Sequence, residues 1–153
     1  MRVVVQRVSS AKVTHEDGKQ NAIGMGLMIL LGIETRDDES DVSFLTGKLS
    51  RLRIFDDDHG VMNLSLMDVN GEALVVSQFT LHAETRKGNR PSYIQAARPE
   101  KAIPLYEMFL SELHKITGLP VKAGWFGARM KVELANEGPV TIIIDSRAPS
   151  PSL

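Results

Sequence analysis

Leu27-Met28-Ile29-Leu30-Leu31 is an unbroken apolar run between Gly26 and Gly32. A half-exposed strand alternates apolar and polar residues, so this run, read as a strand over about 27–33, predicts burial on both faces at the centre of a sheet. Upstream, residues 2–14 alternate loosely and are rich in valine (Val3, Val5, Val8, Val13), which predicts a first strand. Glu16-Asp17-Gly18-Lys19 reads as a hairpin turn into a second strand near 20–24. Downstream, Val42, Leu45, Leu49 and Leu52 recur at helical spacing within 38–52. Acidic residues precede them, and Lys48 and Arg51 follow, as the helix dipole favours.

Further along, Arg53-Ile54-Phe55 and Val61-Met62-Asn63 flank the acidic turn Asp56-Asp57-Asp58-His59-Gly60. Ala73 to Thr80 reads as an apolar strand with the polar end Ser77-Gln78-Phe79-Thr80. A second helix is predicted over Lys101–Thr117, introduced by Pro99 and Pro104, with Leu105, Phe109, Leu113 and Ile116 on one face. Gly118 and Pro120 stop it. Two closing strands, 128–135 and 140–145, are separated by Asn136-Glu137-Gly138-Pro139, which reads as a turn. Strands, helix, strands, helix, strands is the order of an α/β domain with a mixed sheet, not of alternating parallel units. The domain is assigned to residues 1–145, and 146–153 to a flexible tail.

With 153 residues, 42% hydrophobic and 24% charged, the chain suits one globular domain with a core of its own. The absence of cysteine excludes disulfides, thiolate nucleophiles and Cys-ligated metal centres. The run Ile23–Ile33, broken by Gly24, Gly26 and Gly32, is too short to cross a bilayer, and a soluble cytoplasmic protein is expected. A net charge of −1 argues against a general electrostatic grip on nucleic acid. Any RNA contact must be local, and Arg86-Lys87-Gly88-Asn89-Arg90 is the candidate, although taken alone it reads as a solvated loop.

Familiar catalytic patterns are missing. Gly24-Met25-Gly26 has Ile29 where a dinucleotide fingerprint needs its third glycine, and a strand follows instead of a helix. Asp56-Asp57-Asp58 lacks the glycine and terminal glutamate of a calcium loop. The histidines at 15, 59, 82 and 114 form no zinc motif, and Ser77 lacks the flanking glycines of a nucleophile elbow. No metal or cofactor is implied. Two segments remain: Ser77-Gln78-Phe79-Thr80 at a strand end, and Asn136-Glu137-Gly138-Pro139. Singly, each has an ordinary structural explanation.

Taken together, Ser77-Gln78-Phe79-Thr80-Leu81 and Asn136-Glu137-Gly138-Pro139-Val140-Thr141 resemble the two signature segments of the D-aminoacyl-tRNA deacylases. Supporting pieces are Val5-Gln6-Arg7-Val8, Leu30-Leu31-Gly32-Ile33, Arg53-Ile54-Phe55, Met62-Asn63-Leu64, Arg90-Pro91-Ser92 and Met130-Lys131-Val132. Family members often carry Asp where this chain has Glu137, a like-charged change. The resemblance implies a single α/β domain of about seven to nine strands in mixed, barrel-like sheets, with two main helices packed on one face. It also implies a homodimer with active sites at the subunit interface, and a cis Gly138-Pro139 that reaches into the partner's pocket.

The implied substrate is the ester of a D-amino acid on the 3′ end of tRNA. Such an ester is already activated, so hydrolysis needs a positioned water and donors for the oxyanion more than a side-chain nucleophile. On this reading the amides near Phe79 and Thr80 stabilise the oxyanion, while Ser77, Gln78 and Phe79 frame the pocket or hold the terminal adenosine, whose 2′-OH assists the water. The carbonyls of Gly138 and Pro139 receive the amino group and crowd an L side chain, with Asn136 and Arg7 supporting them. Glycyl-tRNA, being achiral, would then be poorly excluded. A covalent Thr80 is the weaker mechanism, since no base stands at an obvious offset. The competing functions are a non-catalytic nucleic-acid-binding dimer and, least favoured, a small-molecule esterase.

Overall fold

The computed structural model describes residues 1–147. The chain runs β1 (Arg2–His15), β2 (Gln20–Ile23), β3 (Gly26–Gly32), α1 (Glu39–Arg51), β4 (Phe55–Asp56), β5 (Met62–Leu64), β6 (Glu72–Ser77), a 3₁₀ turn (Phe79–His82), α2 (Pro99–Thr117), β7 (Val121–Ala123) and β8 (Met130–Asp145). The main sheet has the order β2-β1-β3-β6-β7, with β8 paired to the other edge of β1, and β4 and β5 form a separate ribbon. β1 is antiparallel to β2, β3 and β8, while β3, β6 and β7 run parallel, so the sheet is mixed as expected.

The apolar run of β3 does not alternate because each face meets a core. Leu27, Ile29 and Leu31 join Val3, Val5, Val75 and the inward residues of both helices in one cluster. Met28 faces the other way, into a second cluster with Val8, Ala11, Val13, Leu74 and Val76. Both helices therefore pack against one side of the sheet, and the second cluster fills the inside of its curl. Asn21 Nδ2 donates to Ala123 O (2.7 Å) and Lys122 Nζ to Ala22 O (2.6 Å), drawing β7 round to β2 so that the barrel nearly closes.

Local chemistry sets the helix ends. The Asp38 side chain accepts from Ser40 N and Asp41 reaches back to the Asp38 amide, a capping box that starts α1. Pro99 occupies the first turn of α2, two residues before the expected start, and Gly118 ends the helix in the left-handed region at φ 67°. Pro104 lies inside α2 and does not introduce it, at the loss of one ladder bond. The buried Tyr106 hydroxyl of α2 donates to Val75 O at 3.0 Å, fixing the helix to β6, and burial pushes its phenol well above the usual range.

Other expectations are corrected. Residues 136–139 do not reverse the chain: β8 is one strand, and both of its halves pair antiparallel to β1. Gln6 pairs with Thr141 and Val8 with Asn136, so residues 137–140 bulge from the ladder opposite Arg7. Pro139 cannot donate to a ladder, and the continuous partner β1 holds both flanks in line, so the extra residues are extruded. β6 stops at Ser77 instead of Thr80, because its partner β3 ends at Gly32 and the chain folds into the 3₁₀ turn. β7, three residues docked parallel to β6, was not anticipated. At the C-terminal end, Ser146 and Arg147 are held in place: Ser146 Oγ donates to Asp41 Oδ1 (2.6 Å) and Arg147 Nη2 to Asp41 Oδ2 (2.8 Å). The remainder of the expected tail, 148–153, lies outside the described residues. Among the described residues, no helix is long and apolar enough to cross a membrane.

Candidate active site

The end of β6 and the 3₁₀ turn form one wall of a cleft of about 250 Å³. Ser77, Gln78 and Phe79 line it, facing Phe126, Gly127 and Met130 across a floor that includes Leu31 and Val76. Among the lining residues none is ionisable. Such a cleft has no side chain suited to general acid or base work, and its polar resources are backbone amides and the Ser77 and Gln78 side chains.

The turn depends on what lies beneath it. Gln78 N donates to Leu31 O at 2.8 Å, continuing the β3–β6 ladder by one bond. A Cβ on Gly32 would sit 2.9 Å from Leu81 Cβ and 3.1 Å from Gln78 O, so only glycine lets the turn fold this closely over β3. Arg2 holds the turn from the far side: Nη1 donates to Leu81 O (2.8 Å), while Nε and Nη2 grip Asp145 Oδ2 at 2.9 and 2.7 Å. Within the turn, the bonds run from Leu81 N to Gln78 O and from Ala83 N to Thr80 O. The i→i+3 pattern leaves the first amides of the turn, those of Phe79 and Thr80, outside its own hydrogen bonding, and no side chain caps them.

Thr80 does not line the cleft. Its hydroxyl accepts from Gln78 Nε2, an amide and not a base. Phe79 is 57% exposed at the rim, and its ring meets Tyr93 edge-on with centroids 5.0 Å apart. Behind the turn, the His82 ring is buried with Nδ1 4.0 Å from Glu34 Oε2.

Arg7, Asn136, Gly138 and Pro139 gather elsewhere, around the bulge in β8. Arg7, buried by β1, donates through Nε to Glu137 O (2.9 Å) and through Nη1 to Ile54 O (2.8 Å) and Asp56 Oδ1 (3.0 Å). Asn136 closes the base of the bulge: its Oδ1 accepts from Val140 N at 2.9 Å and its Nδ2 donates to Thr141 Oγ1 at 3.1 Å. The Gly138-Pro139 peptide is cis, and Gly138 has φ 128°. A Cβ there would lie 2.9 Å from both Arg7 Nη2 and Val140 Cγ2. None of these four residues lines the cleft of Ser77 to Phe79. The predicted site residues thus fall into two groups, each well braced, and one chain does not bring them into a common pocket.

Several contributors had escaped sequence reasoning. Phe126 lies far along the chain from Phe79 and has no pattern of its own, Tyr93 follows the basic run Arg86–Arg90 with nothing to tie it to the cleft, and Arg2 reads as an ordinary polar residue of β1. Gly32 did carry a signal, because a glycine ending an apolar strand marks a close approach of another backbone.

Comparison with known proteins agrees with this architecture. The D-aminoacyl-tRNA deacylase of Porphyromonas gingivalis is 62% identical over 146 residues, covering 95% of this chain and 97% of its own. That of Flavobacterium johnsoniae is 56% identical over 147 residues, covering 96% and 98%. Among solved structures, the c-Myc DNA Unwinding Element Binding Protein superposes with a TM-score of 0.89 at 42% identity, over 98% of this chain and all of the other. A probable eukaryotic D-amino acid tRNA deacylase shares the fold at a TM-score of 0.80 and 21% identity, over 94% of this chain and 97% of its own. Residues 4–145 match the family described as D-Tyr-tRNA(Tyr) deacylase, and the chain belongs to that family.

Proposed function

We propose that the protein is a D-aminoacyl-tRNA deacylase, an ester hydrolase that returns a free D-amino acid and tRNA. The observation that carries the reading is the cleft itself: none of its lining residues is ionisable, and the turn at its edge leaves the amides of Phe79 and Thr80 outside its own hydrogen bonding. Water adds to the ester carbonyl, and these amides stabilise the oxyanion. Collapse of the intermediate expels the 3′ oxygen of the terminal adenosine, which takes up a proton. The adenosine 2′-OH assists the attacking water, so the substrate supplies part of the catalysis. Ser77, Gln78 and Phe79 frame the pocket and the adenosine.

Chirality is read by a second copy of the chain. The carbonyls of Gly138 and Pro139, held out by Arg7 and Asn136, enter the partner's cleft, receive the amino group and crowd an L side chain. Support comes from the separation of the two residue groups within one chain, and from β8, which among the described residues pairs only with β1 and exposes Leu134 and Ile143. Rejection in place of a fitted pocket makes D-amino acids of many sizes substrates and leaves glycine poorly excluded. The working compartment is the cytoplasm, where charged tRNA is used.

A panel of tRNAs charged with several D-amino acids, their L counterparts and glycine tests this reading. Release from all D-esters and from glycyl-tRNA, with L-esters spared, is the expected result. Activity on one D-residue alone with glycyl-tRNA fully resistant would refute the rejection mechanism. The second reading, nucleic-acid binding without catalysis, is favoured by the relative named for binding a DNA unwinding element. It predicts steeply salt-dependent binding and no ester turnover.

A further inference from the structure

The loop between Glu84 and Ser92 is pinned at both ends and strongly cationic. Glu84 N donates to Ser92 O (2.8 Å) and Ser92 N to Glu84 O (3.0 Å), closing an isolated antiparallel bridge. Between them lie Arg86, Lys87 and Arg90, all exposed, with no acidic residue among 85–91. Among the described residues none of the three takes part in an ion pair. The carboxylate of Glu84, the nearest acid in sequence, is occupied by the Arg86 backbone amide at 2.8 Å. The loop is joined to the cleft, since Tyr93, next after the bridge, packs edge-on against Phe79 at the rim. On a chain of net charge −1, three unpaired cations beside an apolar cleft with exposed aromatic rings form a local anion-binding surface.

We propose that this loop grips the phosphate backbone of the RNA strand where it leaves the cleft, with the Phe79–Tyr93 pair offering a face to the bases. The proposal rests on the deacylase reading, because an ester at the 3′ end of an RNA can enter the cleft only with its own strand crossing the rim. Cations on an exposed loop bind the backbone through counterion release, and aromatic faces stack on any base, so the contact is independent of sequence.

The test is the triple substitution Arg86→Gln, Lys87→Gln and Arg90→Gln, whose sites are exposed and whose folding is checked by thermal melting. Two readouts are taken across a salt series: binding of uncharged tRNA, and hydrolysis of D-tyrosyl-tRNA beside the D-tyrosyl ester of adenosine alone. Three lost contacts at 0.7 to 0.9 each should lower the slope of log affinity against log salt by about 2 to 3. Affinity for uncharged tRNA should fall by about tenfold or more near physiological salt, and kcat/KM on D-tyrosyl-tRNA should fall with it through KM. The adenosine ester, which lacks the phosphates, should change less than twofold. Unchanged tRNA affinity and salt slope would overturn the proposal, as would equal losses on both esters. Failure of the wild type to hydrolyse either ester would count against the deacylase reading, while the binding readout would still decide the loop's role.

Discussion

Replacing Arg7 with alanine removes the brace on which the β8 bulge rests. The guanidinium is almost fully buried and donates to three acceptors, Glu137 O, Ile54 O and Asp56 Oδ1, at 2.8 to 3.0 Å. A hydrogen bond from a charged donor is worth about 1.5–3 kcal/mol, and a buried acceptor left unpaired costs about 1–3 kcal/mol. Asp56 is half exposed, so its share is small, and water can reach Glu137 O more easily than the buried Ile54 O. The net loss is then about 2–4 kcal/mol, or roughly 5–15 °C in melting temperature for a domain of this size. Arg7→Lys keeps the charge but cannot fork to three acceptors, and should recover stability better than it recovers activity. The assay pairs thermal melting with release of D- and L-tyrosine from charged tRNA. If Arg7→Ala melted within about 2 °C of wild type and released D-tyrosine at the same rate and selectivity, Arg7 would not be holding the bulge.

Other consequences are equally concrete. Gly32→Ala should push the 3₁₀ turn off β3 and cut deacylation by about 10–100-fold while circular dichroism stays native, since a displacement of about 1 Å in a positioned site has effects of that order; unchanged turnover would show that the turn can move without penalty. Thr80→Ala leaves the backbone amide in place and removes only the bond from Gln78, so kcat/KM should fall by no more than about tenfold; loss of all turnover, with an acyl-enzyme trapped on Thr80 in the wild type, would replace the amide mechanism by a covalent one. Asp41 and Asp145 lie below the ordinary carboxylate value of 3.8: burial opposes this, but bonds from Ser146 and Arg147 to Asp41, and from the Arg147 amide and Arg2 to Asp145, outweigh it. A depressed folded-state value stabilises the fold above the unfolded value and is lost as pH falls through the folded one, so urea midpoints should hold steady above about pH 5 and drop below about pH 4. Arg147→Ala should flatten that drop, and an identical acid profile in this variant would refute the assignment.

Much of the fold was legible because burial leaves marks in local sequence. The missing alternation in Leu27–Leu31 identified the central strand, since Leu27, Ile29 and Leu31 enter one core and Met28 the other. Asp38 and the spacing of Val42, Leu45 and Leu49 marked α1 to within a residue. Asn136-Glu137-Gly138-Pro139 misled because local chemistry signals a departure from the ladder, not its direction. Whether the chain reverses or bulges is decided by the distant β1, which pairs with both flanks. β7 was illegible for a related reason: three residues carry no period, and only docking on β6 makes them a strand. At the candidate site, Ser77 to Phe79 line the cleft from the end of β6 and the turn that follows it, while Phe126 and Arg2 join them through contacts between segments distant in sequence and Tyr93 through its ring contact with Phe79.

The most direct test of the central claim, that one chain's Gly138 and Pro139 govern chirality at a cleft lined by Ser77 to Phe79, is the release of labelled tyrosine from D- and L-tyrosyl-tRNA by wild type and by Gly138→Ala. A Cβ at this position is strained at φ 128° and meets Arg7 Nη2 at 2.9 Å, so it displaces the carbonyls while both cores stay intact. The account predicts fast D-selective release by the wild type, and loss of rate or of D-over-L selectivity in a variant that still folds. Equal release of both isomers by the wild type, or full rate and selectivity in the variant, would contradict it.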